Sequence, residues 1–121
     1  MKIFKTAVIA TSLILMGSAA SAHPRPKSAV PKPNAVLTAS PVEIRIGFSE
    51  GLVSAFSSMD IKNSAGQKID EDAASVDPKD EKVLIMPISH PLPAETYTVT
   101  WHVVGDDTHH VSGHYSFQVK P

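Results

Sequence analysis

The chain contains no cysteine, and this absence excludes two kinds of chemistry. No disulfide bond can stabilise the fold, and no thiolate can act as a nucleophile or a metal ligand. An excess of basic residues is also missing, because 11 lysines and arginines stand against 12 aspartates and glutamates. This balance argues against nucleic acid or an anionic membrane surface as the main partner.

A membrane-spanning length of apolar sequence is also missing. The apolar run over residues 7–16 follows two lysines and is shorter than the roughly 20 residues that cross a bilayer. Ala20-Ser21-Ala22 then fits the small-x-small pattern that signal peptidase reads. We predict that residues 1–22 are a cleaved secretory signal and that residues 23–121 form one secreted domain without membrane insertion. The alternative is an uncleaved anchor helix.

Hydrophobic periodicity predicts β-structure throughout the mature chain. Apolar and polar residues alternate in three long segments and in several shorter ones, with turn signals between them. Six or seven short strands in about 100 residues are typical of an all-β Greek-key β-sandwich with one core. The predicted strands are Ala35–Thr38, Val42–Phe48, Ser58–Lys62, Lys68–Ala73, Lys82–Met86, Thr96–Val103 and His114–Val119.

The last two strands are expected to form a hairpin around residues 105–113. Pairing apolar residues across it predicts that Trp101 lies near Phe117 in the core. The connecting loop, GDDTHHVSG, is then the longest polar feature at one end of the sandwich. Loops on a rigid scaffold often carry binding residues.

Histidines are concentrated in this part of the chain, where four of the six fall between residues 102 and 114. Asp107 and His109 lie two residues apart, so in an extended segment their side chains point the same way. One carboxylate and one imidazole would then face the same ion. The alternative is a solvated loop in which Asp107 caps a turn and His109 is merely exposed.

His23 strengthens the metal hypothesis because cleavage after Ala22 would make it the first residue. Its α-amine and ring Nδ1 would form a chelating pair of the kind that Cu(II) takes readily in tetragonal N/O sites. His109 and Asp107 would complete three nitrogen ligands and one oxygen. Pro24 has no backbone N–H, so the metal cannot recruit that amide and needs ligands from elsewhere in the fold. Alternatively, Pro24 only blocks aminopeptidases.

Several motifs in this order carry a family resemblance across nearly the whole mature chain. They are HP at the mature start, S-x-x-P-x-x-N-A-V-L from Ser28, FSEGL from Phe48, Y-x-V-x-W from Tyr97 and DDTHHVSGHYSF from Asp106. The chain resembles the periplasmic copper-binding proteins of the copper resistance protein C (CopC) family.

This resemblance implies an immunoglobulin-like β-sandwich or barrel of seven strands in a periplasmic, monomeric protein. It also implies one Cu(II) per chain, bound by the amine and imidazole of His23 with Asp107 and His109. The implied role is copper buffering, resistance or delivery, with a CopD-like membrane copper transporter as the partner.

Other residues near these motifs have open roles. Glu50 matches an acidic residue of the family near copper, so it is either an outer-shell or weak axial oxygen or a strand-end solubiliser. Asp106 could replace Asp107, although the spacing to the histidine favours Asp107. His110 should point away from His109. His102 and His114 are either exposed strand histidines or a second metal site.

A Cu(I) site with thioether ligands is not expected. Only Met59 and Met86 lie in the middle of the chain, both in apolar, strand-like contexts where methionine fills the core. We predict no catalysis, because no nucleophile or general-base arrangement is evident. Two alternatives are open, a copper histidine-brace oxidative enzyme and a metal-free immunoglobulin-like interaction module.

Overall fold

The computed structural model describes residues 23–69 and 72–121 as two facing β-sheets of four strands each. The predicted signal sequence, residues 1–22, lies outside the described residues. One sheet has the order β1-β3-β6-β5 and the other the order β2-β8-β7-β4. The strands are β1 Pro26–Val30, β2 Val36–Leu37, β3 Glu43–Phe48, β4 Ser58–Lys62, β5 Ser75–Asp77, β6 Asp80–Pro87, β7 Glu95–Val104 and β8 His110–Val119, with a 3₁₀ turn at Ser54–Phe56.

The alternating apolar residues of both sheets form the core between them, which confirms the all-β sandwich. Ile44, Ile46 and Phe48 of β3 are buried, as are Tyr97 and the next alternate residues of β7. The Tyr97 hydroxyl donates a hydrogen bond to the Pro93 carbonyl at 2.5 Å, a tyrosine corner of the kind found in Greek-key sandwiches. Burial raises the pKa of this hydroxyl. Within the described ranges, no helix has the length and apolar character needed to cross a bilayer.

The hairpin of β7 and β8 exists, but its register differs from the one predicted. Phe117 lies opposite Tyr97, and the two rings stack with centroids 5.6 Å apart. Trp101 lies opposite Gly113 and contacts the Phe48 ring edge-on at 5.2 Å. The prediction that Trp101 lies near Phe117 was therefore wrong. Glycine is needed at residue 113 because a Cβ there would lie 2.2 Å from the Trp101 ring.

The strand predicted at residues 68–73 was also wrong. Lys68 forms only an isolated bridge with Lys62, and residues 70 and 71 lie outside the described residues. Strand β6 pairs with β3 on one side and with β5 on the other, and a tight turn joins β5 to β6 where Asp77 lies opposite Asp80. The sequence DEDAA is poor in β-branched and aromatic residues, which explains why the strand begins only after it.

The N-terminal segment runs along the edge of one sheet. Strand β1 pairs antiparallel with β3, and Pro26 lies opposite Phe48. The chain then moves to the second sheet, where β2 pairs in parallel with the end of β8. Because β1 is antiparallel to β3, the residues before Pro26 lie beyond the end of β3, beside the FSEGL segment.

Candidate metal centre

The loop Gly105–His109 is a tight turn and not the extended segment predicted. The N–H of Thr108 donates to the Gly105 carbonyl at 2.9 Å, and Thr108 has a positive φ of 71°. The side chains of Asp107 and His109 nevertheless meet. Asp107 Oδ1 accepts the backbone N–H of His109 at 3.1 Å, and Oδ2 accepts Nδ1–H of its ring at 2.7 Å. The first bond is an Asx turn, in which an aspartate binds the backbone two residues ahead.

These two hydrogen bonds set the chemistry of the pair. They lower the pKa of the Asp107 carboxyl, the bond from the His109 ring more than the bond from its backbone. With Nδ1 donating to the carboxylate, the neutral imidazole carries its free lone pair on Nε2, which is the form that binds metal ions. The His109 side chain is 53% exposed, so this nitrogen lies at the surface of the loop.

The N-terminal segment is attached beside this loop. Pro24 is fully buried, although its neighbours His23 and Arg25 are exposed. The Arg25 N–H donates to Ser49 Oγ at 2.9 Å, and the Ser49 N–H donates to the Arg25 carbonyl at 2.8 Å. A Cβ at Gly105 would lie 2.9 Å from Pro24 Cγ, so only glycine permits this close approach.

This attachment brings two of the predicted ligand residues into contact. The rings of His23 and His109 lie with centroids 4.4 Å apart and planes at 81°. Asp107 joins them through its bond to His109. The three residues predicted from sequence, separated by up to 86 positions, therefore form one cluster at the loop end of the sandwich.

Asp106 and Asp107 have different surroundings, which separates the two candidates for the acidic ligand. The Asp106 N–H donates to the Gly51 carbonyl at 3.0 Å. Its carboxylate lies against the same residue, since a Cβ at Gly51 would be 2.2 Å from Asp106 Oδ2. Asp106 is thus directed to the FSEGL segment, and Asp107 is the carboxylate that contacts His109. Glu50 is half-buried and precedes Gly51, so its backbone lies alongside the loop.

The remaining histidines of this region lie on strands. His110 is exposed at the first position of β8, and alternation along the strand places Ser112 and His114 on the same outer face. His102 lies opposite Ser112, and its Nδ1 is 2.7 Å from Ser112 Oγ. Because His114 lies opposite Thr100, His102 and His114 occupy diagonal positions on the outer face of the hairpin.

Side chains alone do not form a metal site in residues 23–69 and 72–121. No group of three or more His, Cys, Asp or Glu side chains there has an arrangement that could hold a metal ion. The predicted copper site also uses the α-amine of His23, which in the uncut chain is part of the peptide bond with Ala22. In the uncut chain the cluster therefore lacks one of the donors predicted from sequence.

Two residues that hold the cluster together were not found from the sequence. Ser49 binds the backbone of the N-terminal segment, and its Oγ also approaches the His23 carbonyl at 3.5 Å. Gly105 provides the space that Pro24 occupies. The only signal for them was their position, Ser49 inside FSEGL and Gly105 directly before DDTHH.

Comparison with known proteins identifies the family of this chain. The family model for the CopC domain matches residues 26–120. Protein YobA of Escherichia coli K12 is 38% identical over 117 residues, which cover 97% of this chain and 93% of YobA. Copper resistance protein C of Escherichia coli is 35% identical over 127 residues, which cover 99% of this chain and all of that protein.

Solved structures of two proteins have the same fold. The crystal structure of CopC from Methylosinus trichosporium OB3b matches with a TM-score of 0.77 and 29% identity, covering 82% of this chain and 95% of that one. PcoC, a methionine-rich copper resistance protein from Escherichia coli, matches with a TM-score of 0.70 and 38% identity, covering 82% of this chain and all of PcoC. The chain belongs to the CopC family of copper-binding proteins.

Proposed function

We propose that the chain is exported, cleaved after Ala22 and folded in the periplasm as a carrier of one Cu(II) ion. The ligands are the α-amine and ring nitrogen of His23, a ring nitrogen of His109 and an oxygen of Asp107. The protein then buffers copper or delivers it to a CopD-like membrane transporter. Membership of the CopC family supports the copper cargo, and the names of its relatives support a role in resistance.

The observation that carries this proposal is the contact between the rings of His23 and His109. Two imidazoles bound at neighbouring corners of one metal ion, each nitrogen at about 2.0–2.1 Å, have centroids roughly 4.5 Å apart. The observed separation of 4.4 Å is compatible with this arrangement. Cu(II) favours tetragonal sites with such right-angled pairs.

Each residue has a separate role in the proposed site. Pro24 is buried against Gly105 and fixes where His23 begins, and it offers no backbone N–H for copper to displace. In the copper-free chain Asp107 orients the His109 ring through Nδ1, and its carboxylate must leave that nitrogen to give an oxygen to copper bound at Nε2. Glu50 is assigned the role of an outer oxygen because it directly precedes Gly51, whose carbonyl accepts the Asp106 N–H.

Copper binding should depend on pH through the nitrogen donors. An α-amine has an ordinary pKa of about 7.7–8.0 and an imidazole one of about 6.5, and both must be deprotonated to bind a metal. Protons therefore compete with copper, and the affinity should fall as the pH falls below neutral. A site of carboxylates alone would keep its affinity to a much lower pH.

The proposal includes a single copper and no Cu(I) site. Met59 and Met86 are 8% and 2% exposed and belong to the hydrophobic core, where their thioethers pack against apolar side chains. PcoC, by contrast, is described as methionine-rich. Of the four methionines in this chain, the other two lie within residues 1–22.

Electron paramagnetic resonance of the Cu(II)-loaded protein tests the proposal directly. The chain that begins at His23 should bind one equivalent and give a tetragonal, nitrogen-rich spectrum. A matched variant with one extra glycine before His23 converts the amine into an amide and leaves every side chain in place. We expect that variant to lose this spectrum and most of its affinity.

Two results would contradict the proposal. Identical spectra and affinities for the two forms would show that the amine is not a ligand. Binding of two copper ions, one of them Cu(I) on thioether sulfur, would contradict the proposal of one Cu(II) per chain and no Cu(I) site. Circular dichroism of both forms serves as the control, because both should be fully folded.

A further inference from the structure

Part of β8 has an open edge. Strand β2 pairs with β8 only at Gln118 and Val119, so no strand of the described chain pairs with the outer edge of residues 110–115. The Ser116 carbonyl accepts the Asn34 N–H, and the Gln118 N–H donates to the Ala35 carbonyl. The even-numbered residues of β8 therefore direct their N–H and carbonyl groups away from β7, toward the open edge.

Alternation extends this arrangement to the open part of the strand. His110, Ser112 and His114 each present an N–H and a carbonyl to the outside, while the odd-numbered residues between them bond to β7. Their side chains lie exposed on one face of the sheet. The open edge is thus a regular row of three donor and acceptor pairs.

The other edges of the sandwich are protected in the ways that natural proteins use. Strand β1 carries Pro26 and Lys27, β5 has only three residues, and β4 contains Asp60 and Lys62. Short edges, prolines and charged side chains prevent pairing with other strands. The sequence HVSGHY on β8 has no proline, acid, lysine or arginine, so at neutral pH nothing of this kind blocks its edge.

We propose that two copies of this chain associate by pairing their β8 edges antiparallel, with the two-fold axis at Ser112. In this register Ser112 lies opposite its own copy, and His110 lies opposite His114 of the second copy. His110, Ser112 and His114 all direct their backbone N–H and carbonyl groups to the open edge. Each N–H of one copy therefore faces a carbonyl of the other copy.

A cavity beside this edge supports the second copy as the occupant. It has a volume of about 310 Å³ and lies between β1 and β8, with Ile46, Trp101 and Tyr115 in its lining. In the proposed register, Val111 of the second copy lies next to Gly113 on the inner face. The Trp101 ring fills the space over Gly113, so the added valine would pack against the edge of this apolar ring beside the cavity.

This proposal differs from the monomer predicted from sequence and does not depend on the copper site. The paired region is short, so the dimer should be weak and should appear only as the protein concentration rises. Because the pairing uses the backbone of β8, removal of copper or alteration of His23 should not change it. Failure of this proposal would therefore leave the proposed function intact.

Sedimentation velocity of the protein purified from periplasm, followed over a range of concentrations, measures the association. Ser112→Lys places two like charges opposite each other on the axis and should weaken the association constant about fivefold or more. Thr96→Lys is the matched control. It is exposed on the same face of β7 but lies opposite Gln118, where β2 already covers the edge, so it should leave the association unchanged.

Cysteine cross-linking gives a second measurement that does not depend on a charge. Because the protein has no cysteine, Ser112→Cys introduces one thiol on the two-fold axis, where paired Cα atoms lie about 5.5 Å apart. A short bismaleimide should link Ser112→Cys much faster than Thr96→Cys. The proposal would be overturned if the protein stayed monomeric up to roughly 1 mM. It would also be overturned if the Ser112→Lys protein still dimerised, or if Ser112→Cys and Thr96→Cys cross-linked at equal rates.

Discussion

The two ends of the β7–β8 hairpin differ in burial and in the interactions that hold them. At one end Tyr97 and Phe117 stack in the core, with 0% and 1% of their surface exposed, and the Tyr97 hydroxyl anchors the preceding loop. At the other end the turn Gly105–His109 presents an aspartate and a histidine at the surface, held mainly by hydrogen bonds within the turn. Ten consecutive residue pairs join these two ends.

This contrast predicts that stability and the proposed copper binding depend on different residues. The buried end removes apolar area from water, which is the main source of folding free energy in a domain of this size. The exposed end removes little, so its side chains contribute little to folding. A rigid hairpin nevertheless fixes where they lie. Mutations at the two ends should therefore affect two different measurements.

The largest effect should come from the buried end. Phe117→Ala leaves a cavity beside Tyr97 and should lower the free energy of unfolding by about 3–5 kcal/mol, measured by urea denaturation. The Cu(II) affinity of the fraction that stays folded should change far less. If Phe117→Ala left the unfolding midpoint unchanged, the description of this end as the core would be wrong.

At the exposed end, His109→Ala should have the reverse outcome. We expect its unfolding free energy to stay within about 0.5 kcal/mol of the parent value, because the side chain lies at the surface. Its Cu(II) affinity should fall by more than the roughly 10–100-fold that follows loss of an outer-shell partner. His114→Ala is the control, with a similarly exposed histidine on the same hairpin. Equal losses in competitive copper titrations would contradict the ligand assignment.

Gly105→Ala should have an intermediate effect that reports on the attachment of the N-terminus. The new Cβ would lie 2.9 Å from both Pro24 Cγ and Asp107 Oδ1, so Pro24 and the loop must move apart. We expect roughly tenfold weaker Cu(II) binding, in the range of other supporting residues, while the urea midpoint changes little. Unchanged affinity would mean that the position of Pro24 does not control the site.

The smallest effect concerns the titration of Asp107 in the copper-free protein. Hydrogen bonds from His109 hold its pKa below the ordinary value of 3.8, so this carboxyl stabilises the fold above that value. The contribution disappears as the pH falls through the lowered pKa. Carbon NMR should place the midpoint below 3.8, and His109→Ala should raise it only partly, because the backbone N–H bond of residue 109 persists. A midpoint at or above 3.8 would contradict the hydrogen-bond geometry.

Much of this molecule could be predicted from sequence because strand alternation is a local property. The segments of β3, β4 and β7 were predicted to within a few residues, since each buries one face. Register across a hairpin is not local, and the partner of Phe117 depended on a turn conformation that spacing did not reveal. Thr108 adopts a positive φ that is unusual for threonine, so nothing in its residue type indicated the turn.

For the candidate site, the residues could be predicted from sequence, but their geometry and their supporting residues could not. His23, Asp107 and His109 were identified from their chemical types and from the predicted cleavage position, and the structure places them together. The geometry that joins Asp107 to His109 was misjudged, because an Asx turn replaced an extended segment. Ser49 and Gly105 were missed because their role is to fit another part of the chain, and sequence spacing carries no record of such a fit.

The paired hydrogen bonds between Arg25 and Ser49 have a consequence for how the protein is produced and assayed. They fix the chain only two residues from His23, so the first of the proposed ligands has little freedom to move. An N-terminal tag, a leader cut one position early or the loss of a single residue would leave the sandwich folded and soluble. Under the proposed ligand assignment, such a preparation would give a folded protein that binds Cu(II) only weakly.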